Sequence, residues 1–211
     1  MLEGEGNIEN GVNTTVGGDM INAINYYKNS LIEAGNKINQ KKQNKALKDV
    51  VGNEYEHHRK RVWESLGFTV DKERNGASFD VDWSIYYNNT LVAIEEDKGH
   101  YVDSCFFGRC IHSFIGSTHD IKGDTPALIL SSFTKYNLYE TKKNKSLELY
   151  KDNLVEIFNR KFHYNYLNDF DRIKRDNWFK SDNHDLHNPY AQYLNDELIH
   201  NDIEFMLSLQ K

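Results

Sequence analysis

Residues 88–100, NNTLVAIEEDKGH, carry an apolar run, Leu91 to Ile94, that gives way without a linker to Glu95, Glu96, Asp97 and Lys98. Burying one unpaired charge costs several kcal/mol, so a strand that ends this way either meets water at once or delivers its charges to partners. More acid lies just upstream, where FDVDWSIYY, residues 79–87, contains Asp80 and Asp82. Carboxylates that share a surface with one ammonium form an oxygen cage suited to Mg²⁺, with Mn²⁺ as a substitute. Such a cation acidifies water and offsets charge that develops in a transition state, and a lysine beside it can position the attacking hydroxide or help lower its pKa.

Whether these groups meet depends on the elements that carry them. In residues 79–87, Phe79, Val81, Trp83, Ile85 and Tyr87 alternate with Asp80, Asp82, Ser84 and Tyr86, the period of a strand with one buried face. Asn88 and Asn89 supply turn chemistry, and residues 90–97 return as the partner strand of a hairpin. A two-residue loop would set Asp82 against Glu95 and Asp80 against Asp97, leaving Lys98 on the other face. A three-residue loop, Asn88 to Thr90, sets Asp82 against Glu96 and Asp80 against Lys98. The second is preferred, because like charges directly opposite are unfavourable and this register mixes acids with the lysine.

Around the hairpin the chain reads as alternating elements. Residues 1–18, rich in Gly and Asn, form a flexible lead-in; a helix runs from Asp19 to Gly35 with Met20, Ile24, Tyr27 and Leu31 at helical spacing. After a lysine-rich segment, Leu47, Val51, Tyr55, Val62 and Leu66 mark a longer helix that stops at Gly67. Residues 68–70 form a short strand, and Val102 to Ile115 an amphipathic helix. PALILSSF, residues 126–133, forms a strand buried on both faces. A helix over about residues 146–162, an aromatic-rich polar stretch with Tyr164 and Tyr166, and a last helix over 190–209 complete the chain. The expected fold is α/β: helix, three antiparallel strands, helix, strand, with added N- and C-terminal helices. Residues 19–133 make the arm and core, and 134–211 a helical extension of the same domain.

An Asp on one hairpin strand followed by Glu-x-Lys on the next, within this element order, resembles the PD-(D/E)XK nucleases, which include many type II restriction endonucleases and the archaeal Holliday-junction resolvases. The resemblance covers about residues 45–133 and implies a restriction-endonuclease-like core and Mg²⁺-dependent hydrolysis of DNA phosphodiester bonds. It also implies a homodimer in which both strands are cut. Carried over by position, the metal ligands are Asp82, with Asp80 its rival, and Glu96, and Lys98 is the catalytic lysine. A supporting Glu on the first core helix matches Glu54, which shares the apolar stripe of Leu47, Val51, Tyr55, His58 and Val62, whereas Glu56 points away from it. The family's proline before the first Asp is replaced by Phe79 or Val81. Restriction-type cutting of duplex DNA is the leading expectation; a junction or repair nuclease, or a binding protein that retains only the fold, are the alternatives.

The bulk composition neither demands nor forbids this. A formal charge of −6 lacks the overall basic footprint of many nucleic-acid binders, yet lysines cluster between residues 37 and 48, and Lys42, Lys45 and Arg109 are candidate phosphate contacts. Two cysteines, Cys105 and Cys110, are too few for a secreted disulfide framework, and no apolar run reaches transmembrane length, so a cytoplasmic protein is expected. Seven of the nine histidines, His57, His58, His100, His112, His119, His184 and His187, invite a zinc reading but lack zinc-site spacing. The plain alternative for residues 95–98 is a solvated strand end, and for Asp80 and Asp82 the polar face of a half-exposed sheet.

Overall fold

A computed structural model of the chain describes residues 16–41, 47–72, 81–99, 113–114, 126–134, 161–168, 189–192 and 194–211. Helix α1 spans Val16–Lys41 and α2 spans Leu47–Ser65. Tyr27, Leu31, Ala34 and Ile38 repeat at three- and four-residue steps on α1 and are fully buried, and α1 packs along α2. Burial of each large side chain contributes about 1.5–3 kcal/mol. That gain explains why α1 runs through Gly35, where the sequence predicts its end: a glycine inside a helix costs about 1 kcal/mol, and continuing places Ile38 in the core. At the end of α2 the prediction holds. Gly67 adopts φ 88°, and Phe68 N–H returns to the Trp63 carbonyl at 3.2 Å.

The strands are β1 (Thr69–Asp71), β2 (Trp83–Tyr87), β3 (Thr90–Lys98), β4 (Ala127–Thr134) and β5 (Phe162–Asn168), and they form one five-stranded mixed sheet in that order. The first three are antiparallel, whereas β4 is parallel to β3 and β5 to β4. Two short C-terminal helices follow, α3 (Pro189–Gln192) and α4 (Asp196–Leu207). Asn195 caps α4 by accepting from the N–H groups of Glu197 and Leu198. One sheet face carries Trp83, Ile85, Ala93, Ile129, Phe133 and Leu167 into the core shared with α1, α2 and α4. On the other face Phe114 meets Phe162 edge-on at 6.3 Å.

The hairpin differs from its prediction in a way that leaves the site intact. Its loop has two residues, not three: Tyr87 pairs with Thr90, and Asn88 and Asn89 take φ 49° and 63°, the left-handed pair of a type I′ turn. Val92 then bulges out of β3, between the Ile85–Ala93 and Tyr86–Leu91 pairs. The extra residue restores at Trp83–Glu95 the register that a three-residue loop would have produced, and one step further sets Asp82 across from Glu96.

A second difference lies near the C-terminus. The predicted helix over 146–162 falls outside the described residues except at its end, where Phe162 opens a strand. Phe162, Tyr164 and Tyr166 alternate there with His163, Asn165 and Leu167, a period-2 pattern in strand-favouring aromatics. Residues 134–211 are therefore not a purely helical extension, since they supply a strand of the sheet. The predicted helix over 102–115 is represented by Ser113 and Phe114, which are helical. Among the described residues no helix is long and apolar enough to cross a membrane.

Candidate functional site

The pleat of β3 divides its charged end between two environments. Glu95 and Asp97 face the helices, whereas Glu96 and Lys98 face the opposite side with Asp82. All four termini of this run are buried or nearly so, which excludes a strand that simply emerges into water.

On the helical side the counterion is Arg59 of α2, fully buried. Its Nε donates to Glu95 Oε1 at 2.5 Å, and its Nη1 donates to Tyr27 OH at 2.9 Å and to Asp202 Oδ2. The indoles complete the cluster: Trp63 Nε1 donates to Glu95 Oε2, and Trp83 Nε1 to Asp97 Oδ2 at 2.9 Å. Burial alone would lower the guanidinium pKa, but Asp202 and Glu95 more than reverse this and hold it charged. Burial pushes the Asp202 carboxyl up, and Arg59 and His163 overcome it to set a pKa of about 2. Asp97 goes the other way: burial, and then the charge of Glu95, raise its pKa well above the usual carboxylate range. The cluster ties α1, α2, β3 and α4 together. Arg59 is not among the candidates read from the sequence. The signal was its place in Tyr55, His58, Arg59, Val62 and Trp63, a stripe at helical spacing.

On the opposite side Lys98 Nζ lies 3.0 Å from Glu96 Oε2 and 3.5 Å from Asp82 Oδ2. The Asp97 backbone N–H donates to that Asp82 oxygen at 2.7 Å, which fixes the Asp82 carboxylate against β3. The structure thus brings together Asp82, Glu96 and Lys98. Burial, and then the charge of Asp82, raise Glu96 to about 7, opposed by Lys98 and by a hydrogen bond from Ser113. One ammonium therefore does not satisfy the pair. Its position marks where positive charge is favoured between two hard oxygen donors, and this donor set fits Mg²⁺ or Mn²⁺, which need only one or two carboxylates. Among the described residues no group of three or more His, Cys, Asp or Glu forms a metal cage.

The other candidates are distributed as follows. Glu54 is buried, and its charge acts, after burial, to raise the pKa of Tyr190, whose hydroxyl donates to the Gly99 carbonyl at 2.9 Å and so anchors the end of β3. Glu56, which the sequence reading set aside, lies in the field of the site: burial, then Asp82, raise its pKa, and Lys98 opposes them. His57 is exposed, while His58 is buried with Nδ1 3.1 Å from Ser30 Oγ and its pKa held low by burial. Asp80, Arg109, Lys42, Lys45 and both cysteines lie outside the described residues.

A pH dependence follows from Glu96. Its ordinary value is 4.5 and its folded value about 7, so between them the folded protein holds a proton that the unfolded chain has lost. Stability from this group is thus greatest at low pH and is lost as pH rises to 7. Without divalent cations, denaturant titrations should show wild type losing about 2 kcal/mol more than Glu96→Gln between pH 5.5 and 8. Asp97 and His58 are present in both proteins, so the difference isolates Glu96. Equal losses in the two proteins would contradict this environment.

Comparison with protein-family models, with curated proteins and with solved structures gives no match.

Proposed function

We propose that the protein is a metal-dependent nuclease built on a restriction-endonuclease-like core and hydrolysing phosphodiester bonds of DNA, as a homodimer that cuts both strands of a duplex. The reading is supported by the order α2, β1, β2, β3, the helical residues 113–114 and β4, with β4 parallel to β3. The observation that carries it is the convergence of Asp82 and Glu96, from different strands, on the Lys98 ammonium.

Asp82 and Glu96 would hold Mg²⁺ or Mn²⁺, which supplies Lewis acidity and counters charge on the phosphate when bound. Lys98 donates hydrogen bonds to the attacking water and to a phosphate oxygen, so its charge acts where negative charge develops. Glu56 is more basic than an ordinary glutamate, the property wanted in a group that accepts the water's proton. Asp80 remains a candidate ligand, and Arg109, Lys42 and Lys45 remain candidate DNA contacts. Glu54 acts from behind, beside the Tyr190 anchor of β3.

Incubating the purified protein with plasmid and with branched DNA, with and without Mg²⁺ or Mn²⁺, tests the reading. Cation-dependent cuts in plasmid are expected. Cuts confined to branched DNA would transfer the proposal to a junction or repair nuclease, and DNA binding without any cutting would leave a binding protein.

A further inference from the structure

The row of residues that contains the candidate site continues across the sheet into a pair of tyrosines. Lys98 is in register with Ser132 of β4, and Ser132 with Tyr166 of β5; Glu96 is in register with Leu130, and Leu130 with Tyr164. Residues in register on parallel strands share a face, so Tyr164 and Tyr166 stand on the side of Glu96 and Lys98. Strand spacing places β5 about 10 Å from β3. Tyr164 OH lies 3.0 Å from Ser132 Oγ, which tethers that ring, and the two half-buried rings are 5.5 Å apart at 40°. They lie towards the carboxyl ends of three parallel strands, the edge at which open α/β sheets bind ligands.

From this geometry we infer that Tyr164 and Tyr166 form a stacking subsite for a nucleotide base next to the phosphodiester held at Asp82, Glu96 and Lys98. The inference rests on the nuclease reading and deepens it. A DNA strand whose phosphate lies at Lys98 carries its neighbouring bases outward by a distance comparable to two strand spacings. The aromatic faces offer attraction that does not depend on base identity. Inside a duplex a base is covered by its neighbours, so the subsite takes a base turned out of the stack, and turning it out costs a few kcal/mol, least for an unpaired base.

The test compares oligothymidylate with an abasic oligomer of the same length, which carries the same phosphates without bases, binding to the full chain with Ca²⁺ in place of Mg²⁺. Wild type should bind the oligothymidylate about tenfold more tightly or better. Tyr166→Ala and Tyr164→Ala should each reduce that preference several-fold while leaving affinity for the abasic oligomer unchanged, and Tyr166→Phe, which keeps the ring, should retain it. Wild type binding both oligomers equally, a preference that survives both alanine variants, or a loss in Tyr166→Phe equal to that in Tyr166→Ala would each overturn the stacking subsite alone. Wild type that neither binds these oligomers nor cuts plasmid would end the nuclease reading along with it.

Discussion

Lys98→Ala is expected to lower cation-dependent DNA cleavage on the order of a thousandfold while leaving the fold and much of the DNA binding in place. Removing one well-placed donor to a developing negative charge costs a factor of that size in other hydrolytic sites. The fold should survive because Lys98 is not part of the Arg59 cluster and its ammonium lies beside Asp82 and Glu96, on the other face of the sheet. The same geometry makes a second, opposite expectation. The ammonium and a divalent cation compete for the two carboxylates, so the variant should bind Mn²⁺ more tightly than wild type even as cleavage disappears. Calorimetric titration with Mn²⁺ and a plasmid-cleavage assay on one preparation measure both. Cleavage unchanged by the substitution would remove Lys98 from the mechanism, and weakened Mn²⁺ binding would mean that the lysine does not sit where the cation goes.

How far the sequence foretold this arrangement depends on which interactions are local. Alternation in residues 79–87 and 90–97, the Asn-Asn turn and the apolar run before Glu95 are short-range signals, and from them the hairpin and the meeting of Asp82, Glu96 and Lys98 were legible. The route to that register was not. A bulge at Val92 leaves no mark in composition, since any strand residue can occupy it, and so the loop was given one residue too many and the error cancelled. The Arg59 cluster was harder because its members are far apart in the chain. Asp202 and Arg59 are 143 positions apart, and no periodicity in α4 announces that a buried acid there has a guanidinium waiting in α2. Strand β5 was hidden for a related reason: its Phe, Tyr and Tyr alternate with His, Asn and Leu, and only the parallel neighbour β4 makes that mixture a strand.

Arg59→Met should destabilise the protein by about 3–5 kcal/mol, and this is the largest effect on folding that the structure predicts. Taking out one partner of a buried ion pair costs that much because the remaining charges stay buried without compensation. Here Glu95 and Asp202 would be left together, with Asp97 beside them, all three nearly inaccessible to water. For a chain of this length the loss corresponds to a fall in Tm of about 10 °C or more. The sign of its pH dependence is also determined. In wild type, Arg59 holds Asp202 low, and the stability this contributes is present above the acid's ordinary 3.8 and lost only as pH falls towards 2. Without Arg59 the buried acids take raised pKa values, the folded state holds protons that the unfolded chain releases, and stability falls as pH rises. The deficit of Arg59→Met relative to wild type should therefore be smaller at pH 5 than at pH 8. Adding Glu95→Gln and Asp202→Asn should recover most of it, because the desolvated charges are then gone and a neutral, hydrogen-bonded interior remains. Denaturant titrations of the three proteins at both pH values measure these differences. A loss below about 1 kcal/mol, the ordinary size for an exposed ion pair, would show that the four elements are held by apolar packing alone and that the guanidinium is not their common anchor.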